Sequence, residues 1–463
     1  MHSETDVLVL TNSKNMFLAI ILFIIGYVFI AFETPLKVNK SATAIFLAAS
    51  IWIFYVFVGE SVFEFTGFTE NFLHYKGLNP DGNFLDFVSR HEIIQYMGDI
   101  SEILFFLMAA MTIVETIDHH NGFSILTDKI TTTSKRKLLW ILTIMTFFFS
   151  AVLDNITTTI VMCALLRKLI PKGKERWFFA GMVVLAANDG GAWSPIGDVT
   201  AIMLWMGGQV TAANLAVKTF IPSLVSLLVP LTIVSFRLKG NFVRNQSIIE
   251  SKPELPAGIR NLVFFLGIGG LLFVPLFKSI THLPPFLGML ISLAVLWVVT
   301  EYLNNHKYPG KESFSCAKIL KKIDTSSILF FLGILLSVAG LQSMGYLSMF
   351  AKELTHIFDG NIYSMNISFG LLSTIIDNVP LIAGAIGMFP LSVYPTDHSF
   401  WLFLSFCGGT GGNMLIIGSA AGIVAMGMEK IDFIWYFKKI SIWALIGFIV
   451  GAATFILFDK LIY

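Results

Sequence analysis

The chain has 463 residues, of which 55% are apolar, 14% aromatic and only 13% charged. Soluble domains average about 25% charged residues, so this composition excludes an ordinary soluble protein of two or three domains. Lys and Arg number 31 against 30 Asp and Glu, and the net charge of +1 gives no signature of a nucleic-acid partner. The three cysteines have neither the spacing of a disulfide framework nor that of a zinc site.

Apolar segments recur along the entire chain. Crossing the ~30 Å hydrocarbon core takes about 20 helical residues. The first apolar run follows Glu4 and Asp6 and has no small-residue cleavage pattern, so we expect a retained span and no cleaved signal peptide. The sequence predicts an all-α polytopic membrane protein with about ten transmembrane helices, near 15–33, 41–59, 98–117, 177–206, 213–236, 259–279, 284–303, 325–345, 399–428 and 433–458.

Two further apolar segments, 138–170 and 362–390, have an Asp-Asn pair in their middle. Each arm has only about 12 to 15 apolar residues, which is short for a full span. We therefore predict two re-entrant hairpins, whose tips must be surrounded by protein or line a water-filled cavity. Two thin spans in place of each hairpin remain an alternative.

Loop charges predict the orientation, since Lys and Arg collect on the cytoplasmic side. The neutral or acidic segments 60–92 and 352–359, and the region around Asp397, are expected outside. Strict alternation holds if both hairpins return to the side they left, although two thin spans would leave the same parity. The strongly basic loops expected inside are 129–137, 167–176, 237–252 and 307–322.

The chain also repeats itself. Residues 101–107 recur at 326–332 with six of seven identities, and the two Asp-Asn pairs and the two glycine clusters follow in the same order at similar offsets. Five spans and one hairpin in each half place the halves in opposite orientations, as in many secondary transporters. The predicted organisation is a first inverted repeat at 15–236, a cytoplasmic linker at 237–258 and a second inverted repeat at 259–458.

The hairpin tips contain Asp154-Asn155 and Asp377-Asn378. Asp and Asn are good caps for a helix that restarts after a break, and turn chemistry alone would explain the asparagines. It does not explain a carboxylate at membrane depth, which is costly and by default marks an ion or proton path.

Glycines and polar residues interrupt two of the predicted spans, at 187–200 and 407–419. Close helix packing at small residues is the simpler explanation for isolated glycines. A clustered break, however, frees carbonyl oxygens, and a small hard cation prefers about six oxygens from carbonyls, carboxylates, amides and hydroxyls. The tips and breaks hold four carboxylates, of Asp154, Asp189, Asp198 and Asp377, and no Lys or Arg. This charge pattern favours a monovalent cation over an organic anion.

Two other ionisable residues are candidates for a proton path or pH sensing. Glu102 opens the third predicted span, and its repeat equivalent is Ser327, so the repeat alone does not require an acid there. His91 lies just outside that span, where titration near neutral pH could gate access. An interfacial role for Glu102 and an exposed loop position for His91 are the alternatives.

Four motifs stand at the tips and breaks: DNITTT at 154–159, ANDGGAWSPIGD at 187–198, IDNVP at 376–380 and GGN at 411–413 with GSAAG at 418–422. They resemble those of the NhaD-type sodium/proton antiporters of the ion transporter superfamily, and the resemblance extends from about residue 10 to the C-terminus. It implies a dimer that exchanges Na+ or Li+ for H+ in pH homeostasis, in a bacterial cell inner membrane or, for plant members, a plastid membrane.

Related sodium-coupled dicarboxylate carriers have Ser-Asn-Thr at the hairpin tips, where this chain has Asp154 and Asp377. This difference argues against a dicarboxylate substrate. By position, Ser150 and Ser373 correspond to serines that bind sodium in those carriers.

The predicted mechanism is exchange at one shared site in which a cation and a proton compete for carboxylates. Na+ is expected at Asp154, Asn155, Ser150 and Asn188, and no cofactor is expected. Further predicted ligands or neighbours of the cation and the proton are Thr157, Thr158, Asp189, Asp198, Thr200, Asp377, Asn378, Ser373, Asn413 and Ser419.

Two rival functions remain. One is a superfamily carrier of an anionic substrate, a dicarboxylate or arsenite, against which the four acids argue. The other is an intramembrane aspartyl protease in which Asp154 and Asp377 share one proton. Such an enzyme has no need of glycine-broken spans beside its aspartates, so we expect a transporter and no enzyme.

Overall fold

The computed structural model describes residues 18–30, 37–58, 70–127, 130, 132–242, 256–307, 316–375 and 377–461. Most of these residues are helical, and the described part of the chain contains one isolated β-bridge, between Ser134 and Asn241, and no strand. Both ends of the first predicted span, residue 59, most of the predicted linker, much of the 307–322 loop and Ile376 lie outside the described residues.

The helices of the first half of the chain include one irregular element, since α4 contains a π-helical turn at Phe87–Glu92. Among the described residues they are α1 (Leu18–Ile30), α2 (Lys40–Val58), α3 (Glu70–Leu78), α4 (Phe84–His119), α5 (Ser124–Thr127), α6 (Lys135–Leu153), α7 (Asn155–Leu169), α8 (Lys174–Gly191), α9 (Val199–Met206) and α10 (Ala212–Arg237).

The second half of the chain likewise contains both short and long helices. Its described helices are α11 (Ala257–Thr281), α12 (Pro285–Lys307), α13 (Cys316–Leu320), α14 (Thr325–Ser343), α15 (Tyr346–Ile357), α16 (Ile362–Leu372), α17 (Asn378–Met388), α18 (Ser399–Gly411), α19 (Ala420–Glu429), α20 (Phe433–Lys439) and α21 (Ser441–Leu461).

Eight helices of the described chain are long and apolar enough to cross a membrane, which makes this a polytopic membrane protein. Seven of them match predicted spans. The eighth is α6, the first arm of the predicted hairpin 138–170, which is 19 residues long because a basic first turn at 135–137 extends it. The helix is therefore longer than the apolar part of the arm from which its length was predicted.

Two other boundaries differ from prediction. The predicted span 433–458 is divided, because α20 ends at Lys439 and α21 begins at Ser441. Lys438 and Lys439 place charges in the last turn of α20, where a spanning helix would not tolerate them. The third predicted span begins earlier than residue 98, since α4 continues without a gap from Phe84.

The chain forms two compact units, each drawing segments from both halves of the sequence. Among the described residues, the first unit comprises those up to Leu104, Asp324–Asn361 and Ala383–Val393. Within it, α2 and α14 pack closely: a Cβ at Gly333 would lie 2.5 Å from the carbonyl carbon of Ala44. The indole of Trp52 donates a 2.9 Å hydrogen bond to the carbonyl of Leu336.

The second unit comprises Phe105–Ile323, Ile362–Ile382 and residues from Tyr394 onward. It contains both predicted hairpin tips and both glycine-rich breaks. Helices α10 and α21 support it, and small residues bring their backbones together: a Cβ at Gly447 would lie 2.3 Å from the carbonyl oxygen of Ser226. All the tip and break residues discussed next belong to this one unit.

Candidate functional site

The first tip is a sharp break at Asp154. Helix α6 ends at Leu153 and α7 begins at Asn155, and Asp154 between them has φ 71° and ψ 161°. This backbone region is essentially restricted to glycine, and occupying it costs about 1–3 kcal/mol. The carboxylate caps α7 by accepting bonds from the amide N–H (2.8 Å) and the hydroxyl (2.7 Å) of Thr157. A strained, partly buried acid is thus held at a helix N-terminus.

The second tip lies between α16 and α17. Asp377 precedes α17 and accepts a 3.3 Å bond from the amide of Val379. Asn378, the first residue of α17, is buried and points its amide toward the carboxylate of Asp198 at 3.3 Å. The second tip therefore contributes its asparagine to a group on the first broken helix.

Each glycine-rich break ends one helix and starts another. Helix α8 ends at Gly191 and α9 starts at Val199, while α18 ends at Gly411 and α19 starts at Ala420. The new helices are capped by Asp198, which accepts from the amide of Thr200, and by Ser419, which accepts from the amide of Gly422. A helix N-terminus presents partial positive charge, which the carboxylate of Asp198 offsets at α9, whereas the cap of α19 is the neutral hydroxyl of Ser419.

The same backbone contacts occur at both breaks. A Cβ at Gly190 would lie 2.2 Å from the carbonyl oxygen of Phe147, and one at Gly411 would lie 2.1 Å from that of Gly370. No other residue fits at such an approach. The hydroxyl of Ser150 donates to the carbonyl of Ala187, and that of Ser373 to the carbonyl of Gly408 at 3.0 Å. In each half, an equivalent serine therefore joins the segment that precedes the tip to an equivalent carbonyl just before the glycine-rich break.

A continuous chain of side-chain amides joins the tips and breaks. Asn155 donates to Asn188 and to Asp198, both at 3.0 Å. Asn188 donates to Asn413 at 2.9 Å and to the hydroxyl of Ser419 at 2.8 Å, and Asn413 donates to Asp189 at 2.9 Å. Asn155 and Asn413 each donate to a carboxylate, and Asn188 lies between them as a donor to Asn413 and an acceptor from Asn155, so these contacts fix the orientation of each asparagine.

We call this set of hydrogen-bonded side chains the amide network. All its members are at least nine-tenths buried. Because a buried polar group without a partner costs about 1–3 kcal/mol, satisfying them jointly stabilises one arrangement of the site. Its members are Asn155, Asn188, Asp189, Asp198, Asn378, Asn413 and Ser419.

Several predicted site residues lie beside the network. Asp154 lines a narrow, mainly apolar crevice with residues such as Leu107 and Ile202. The carboxylates of Asp154 and Asp377 nonetheless act electrostatically on Asp198. Thr158 and Thr200 are fully buried; within the described chain the hydroxyl of Thr158 has no hydrogen-bond partner, and that of Thr200 faces the carboxylate of Asp198.

The proposed sodium ligands divide between two places. Asn155 and Asn188 are hydrogen-bonded to each other, whereas the hydroxyl of Ser150 faces a backbone carbonyl and Asp154 is engaged by Thr157. Among the described residues, no group of three or more His, Cys, Asp or Glu is arranged to hold a metal ion.

Glu102 and His91 belong to the first compact unit and are not members of the amide network. Glu102 lies within α4 and is partly buried. His91 was predicted just outside a span, but it lies within the π-helical turn of α4, where its exposed ring stacks on Phe87 with centroids 6.0 Å apart. The loop position was therefore wrong, because the helix extends further toward the N-terminus than its apolar pattern shows.

Two residues near the network were missed by sequence reasoning. The hydroxyl of Tyr436 donates to the backbone carbonyl of Asn413 at 3.0 Å, and Ser226 of α10 faces the carboxylate of Asp189. Both lie in apolar helices whose sequence resembles ordinary spanning or interfacial segments, so no local signal marks them.

Comparison with known proteins gives consistent relatives. The profile of a family described as "Citrate transporter" matches residues 20–404. The chain is 42% identical to Sodium/proton antiporter 1 of Arabidopsis thaliana over 441 residues, which cover 94% of this chain and 71% of that protein. It is 30% identical to the Na(+)/H(+) antiporter NhaD of Alkalimonas amylolytica, covering 96% of this chain and 91% of that protein. The NhaD antiporter of Vibrio cholerae is 29% identical, with 97% and 93% covered.

Proposed function

The chain belongs to the citrate-transporter family and, within it, to the NhaD-type sodium/proton antiporters, and from this premise we propose that it exchanges Na+ or Li+ for H+ across a membrane. The observation that supports this function most directly is the amide network with its surrounding carboxylates. It concentrates oxygen ligands and acids in the second unit, and none of its members is basic.

We propose that the cation is bound where the first tip meets the first break. Asn155 and Asn188 supply amide oxygens, and the buried hydroxyls of Thr158, which has no hydrogen-bond partner in the described chain, and of Thr200, which faces Asp198, supply two more oxygens. A hard cation prefers such a set of neutral and anionic oxygens. Asp154 and Asp198 neutralise the cation's charge, and Ser150, four residues before Asp154, adds a hydroxyl oxygen.

Exchange then follows from competition. A carboxylate at this depth is costly when it is charged and alone, so it is neutralised either by a cation or by a proton. When protons bind to Asp154 or Asp198, the cation loses its counter-charge and dissociates. If the two ligands exclude each other, alternating access yields antiport without a separate gate that senses either ion.

We propose that the second tip and the second break form the pseudo-symmetric half of this site. Asp377 and Asn378 stand where Asp154 and Asn155 stand in the first half, and Ser373 repeats the contact of Ser150. The repeated close approaches at Gly190 and Gly411 support two inverted repeats at 15–236 and 259–458. About ten spans and two re-entrant hairpins, with the basic loops inside, complete the proposed topology.

The remaining proposals concern the setting of the protein. We propose a homodimer in a bacterial cell inner membrane, working in pH homeostasis, with no cofactor and no enzymatic activity. The support is the set of relatives named as antiporters and the multi-pass apolar chain. Residues Glu102 and His91 stay candidates for a proton path or pH sensing.

A proteoliposome assay tests the proposed function. The purified protein is reconstituted in vesicles that enclose a pH dye, a proton gradient is imposed, and Na+ or Li+ is added. The wild-type protein should collapse the gradient, and Asp154→Asn should lose nearly all of that response. Asp432 is a matched control, because it also caps a helix but is exposed, and Asn caps equally well.

Asp432→Asn should therefore respond like the wild type. An Asp154→Asn protein that collapses the gradient at the wild-type rate would overturn the assignment of Asp154. Because the matching family profile is described as a citrate transporter, uptake of labelled citrate, dicarboxylate and arsenite is measured in the same vesicles. Anion uptake without Na+-dependent proton movement would favour the alternative carrier function.

A further inference from the structure

Glu92 is a buried acid that the proposed exchange does not use. It is the last residue of the π-helical turn Phe87–Glu92 and is 5% exposed, although its neighbours Arg90 and His91 are exposed. The turn is closed by a bond from the amide of Ile93 to the carbonyl of Val88, five residues back. Such insertions in helices frequently mark functional sites.

The carboxylate of Glu92 faces three helices of the first unit. It faces the hydroxyls of Tyr55 on α2 and Ser343 at the end of α14, and it acts electrostatically on Tyr55 and on Tyr96, one turn further along α4. The Tyr55 hydroxyl donates a long, 3.4 Å bond to the carbonyl of Ser343. The ring of Trp52 packs against both tyrosines, with centroids 5.9 and 6.1 Å away.

The hydrogen bonding of this cluster is incomplete. Among the described residues, the Oε2 atom of Glu92 and the hydroxyl of Ser343 are buried without a hydrogen-bond partner. Both groups belong to one cluster, and one oxygen of the acid remains available. A proton on that oxygen would turn it into a donor, which the surrounding oxygen acceptors could use.

Another buried glutamate, Glu429, differs from Glu92 in its ion pairing. Glu429 is fully buried and forms ion pairs with Arg167 and Arg176, both at 2.7 Å. Within the described chain, no Lys, Arg or His forms an ion pair with Glu92. A buried charge without a partner is strongly disfavoured, so Glu92 needs another source of positive charge.

We propose that Glu92, Tyr55 and Ser343 form a proton-binding site in the first unit, additional to the cation site proposed in the second. The titratable groups around Glu92 are Tyr55 from α2 and Tyr96 from α4, with Asp99 acting on Tyr96, while α14 contributes only a hydroxyl. One carboxylate and a few hydroxyls beside an aromatic wall provide too few oxygens for a metal cation, which prefers about six.

The bound proton links three helices. Protonated Glu92 can donate to a hydroxyl or carbonyl oxygen of Tyr55 or Ser343 and so connect α4 with α2 and α14. Loss of the proton leaves a negative charge between the same helices. Protonation of Glu92 is therefore coupled to the packing of the first unit. Glu92 still binds its proton when the carboxylates of the second unit are removed.

Infrared spectroscopy of the protein in vesicles tests this site without a transport assay. Spectra are recorded across a pH titration in an Asp154→Asn background, in which the proposed cation site is disabled, and are compared with those of added Glu92→Gln or Glu353→Gln. Glu353 is an exposed glutamate of the same unit and serves as the matched control. The carbonyl band of one buried carboxylic acid should be lost in Glu92→Gln and kept in Glu353→Gln.

Tyr55→Phe provides a second reading, because it removes one hydroxyl that faces Glu92 and keeps the ring. It should shift the frequency of the same band. Spectra of Glu92→Gln that match the parent spectra would overturn the proposal, as would a band that disappears on adding Na+ at constant pH, which would indicate a cation site. If Glu92→Gln does not fold, an unshifted band in Tyr55→Phe overturns it.

Discussion

The side-chain amide of Asn155 donates to the carboxylate of Asp198 at 3.0 Å and joins the first tip to the start of α9. The same nitrogen donates to Asn188 at 3.0 Å. One residue thus holds together two segments that lie 43 positions apart in the chain. If ligand exchange requires the tip and the break to act together, Asn155 should be as important as the acids.

We predict that Asn155→Leu raises the Na+ concentration needed for half-maximal gradient collapse by at least about tenfold. The substitution removes a proposed ligand, leaves the side-chain oxygen of Asn188 without the donor that faces it, and leaves Asp198 with one side-chain donor fewer. Each lost partner of a buried polar group costs about 1–3 kcal/mol, and about 1.4 kcal/mol corresponds to a factor of ten. The dye assay in vesicles measures the change.

The control for this prediction is Asn366, another buried asparagine of the second unit. Its amide donates to the backbone carbonyls of Ile362 and Phe400, outside the amide network. Asn366→Leu should lower the melting temperature but leave the Na+ dependence of the surviving protein unchanged. Equal losses of Na+ affinity in both variants would show that the network has only a structural role.

Much of this site follows from the sequence for a physical reason. Burying acids and amides at the centre of apolar membrane segments is so costly that their presence there indicates a function. For this reason the sequence alone predicts Asp154, Asn188 and Asp198 as site residues. The pairing of amides could not be predicted, because Asn155 and Asn413 reach Asn188 through tertiary contacts that no local pattern encodes. The sequence therefore indicates which groups matter but not which of them touch.

The ends of helices, in contrast, are poorly predicted from the sequence. The N-terminal part of α4 carries Arg90, His91 and Glu92 and so resembles a polar loop, yet a π-helical turn continues the helix and buries Glu92. Similarly, the basic start of α6 concealed how far that helix extends. Apolar periodicity locates the middle of a helix, whereas tertiary packing decides where charged residues still belong to it.

We predict that Gly190→Ala and Gly411→Ala each strongly destabilise the folded protein. The added Cβ would lie 2.2 Å from the carbonyl oxygen of Phe147 in one case and 2.1 Å from that of Gly370 in the other. Backbone atoms cannot move aside as a flexible side chain can. We therefore expect the free energy of unfolding to fall by at least about 1–3 kcal/mol, the range typical of overpacking. Thermal unfolding in detergent, followed by size-exclusion chromatography, measures the loss.

Gly427→Ala is the matched control, because a Cβ at this exposed helical position meets nothing within 4 Å. Alanine is favoured over glycine in a helix by roughly 1 kcal/mol, so this variant should be as stable as the wild type or slightly more stable. If Gly190→Ala and Gly411→Ala behaved like Gly427→Ala, the close backbone approach in the two halves would be contradicted.

The last prediction concerns the pH dependence of stability through His398, which caps α18. Its Nδ1 atom accepts a 3.1 Å bond from the amide of Phe400, which requires a neutral ring. Burial lowers the pKa of His398, nearby Lys218 lowers it further, and Asp459 partly opposes them. Because the folded pKa lies below the unfolded value of about 6.5, the stabilisation is complete above that value and is lost as pH falls through it toward the folded pKa.

In His398→Asn the cap no longer titrates, since Asn accepts the same bond at every pH. Lowering the pH from about 7.5 to about 5.5, one unit either side of the ordinary histidine pKa, should therefore destabilise the wild type relative to the variant. The difference should reach about 1 kcal/mol, the usual value of an N-cap. Melting temperatures of both proteins at the two pH values measure it, and parallel shifts would show that the ring nitrogen does not cap α18.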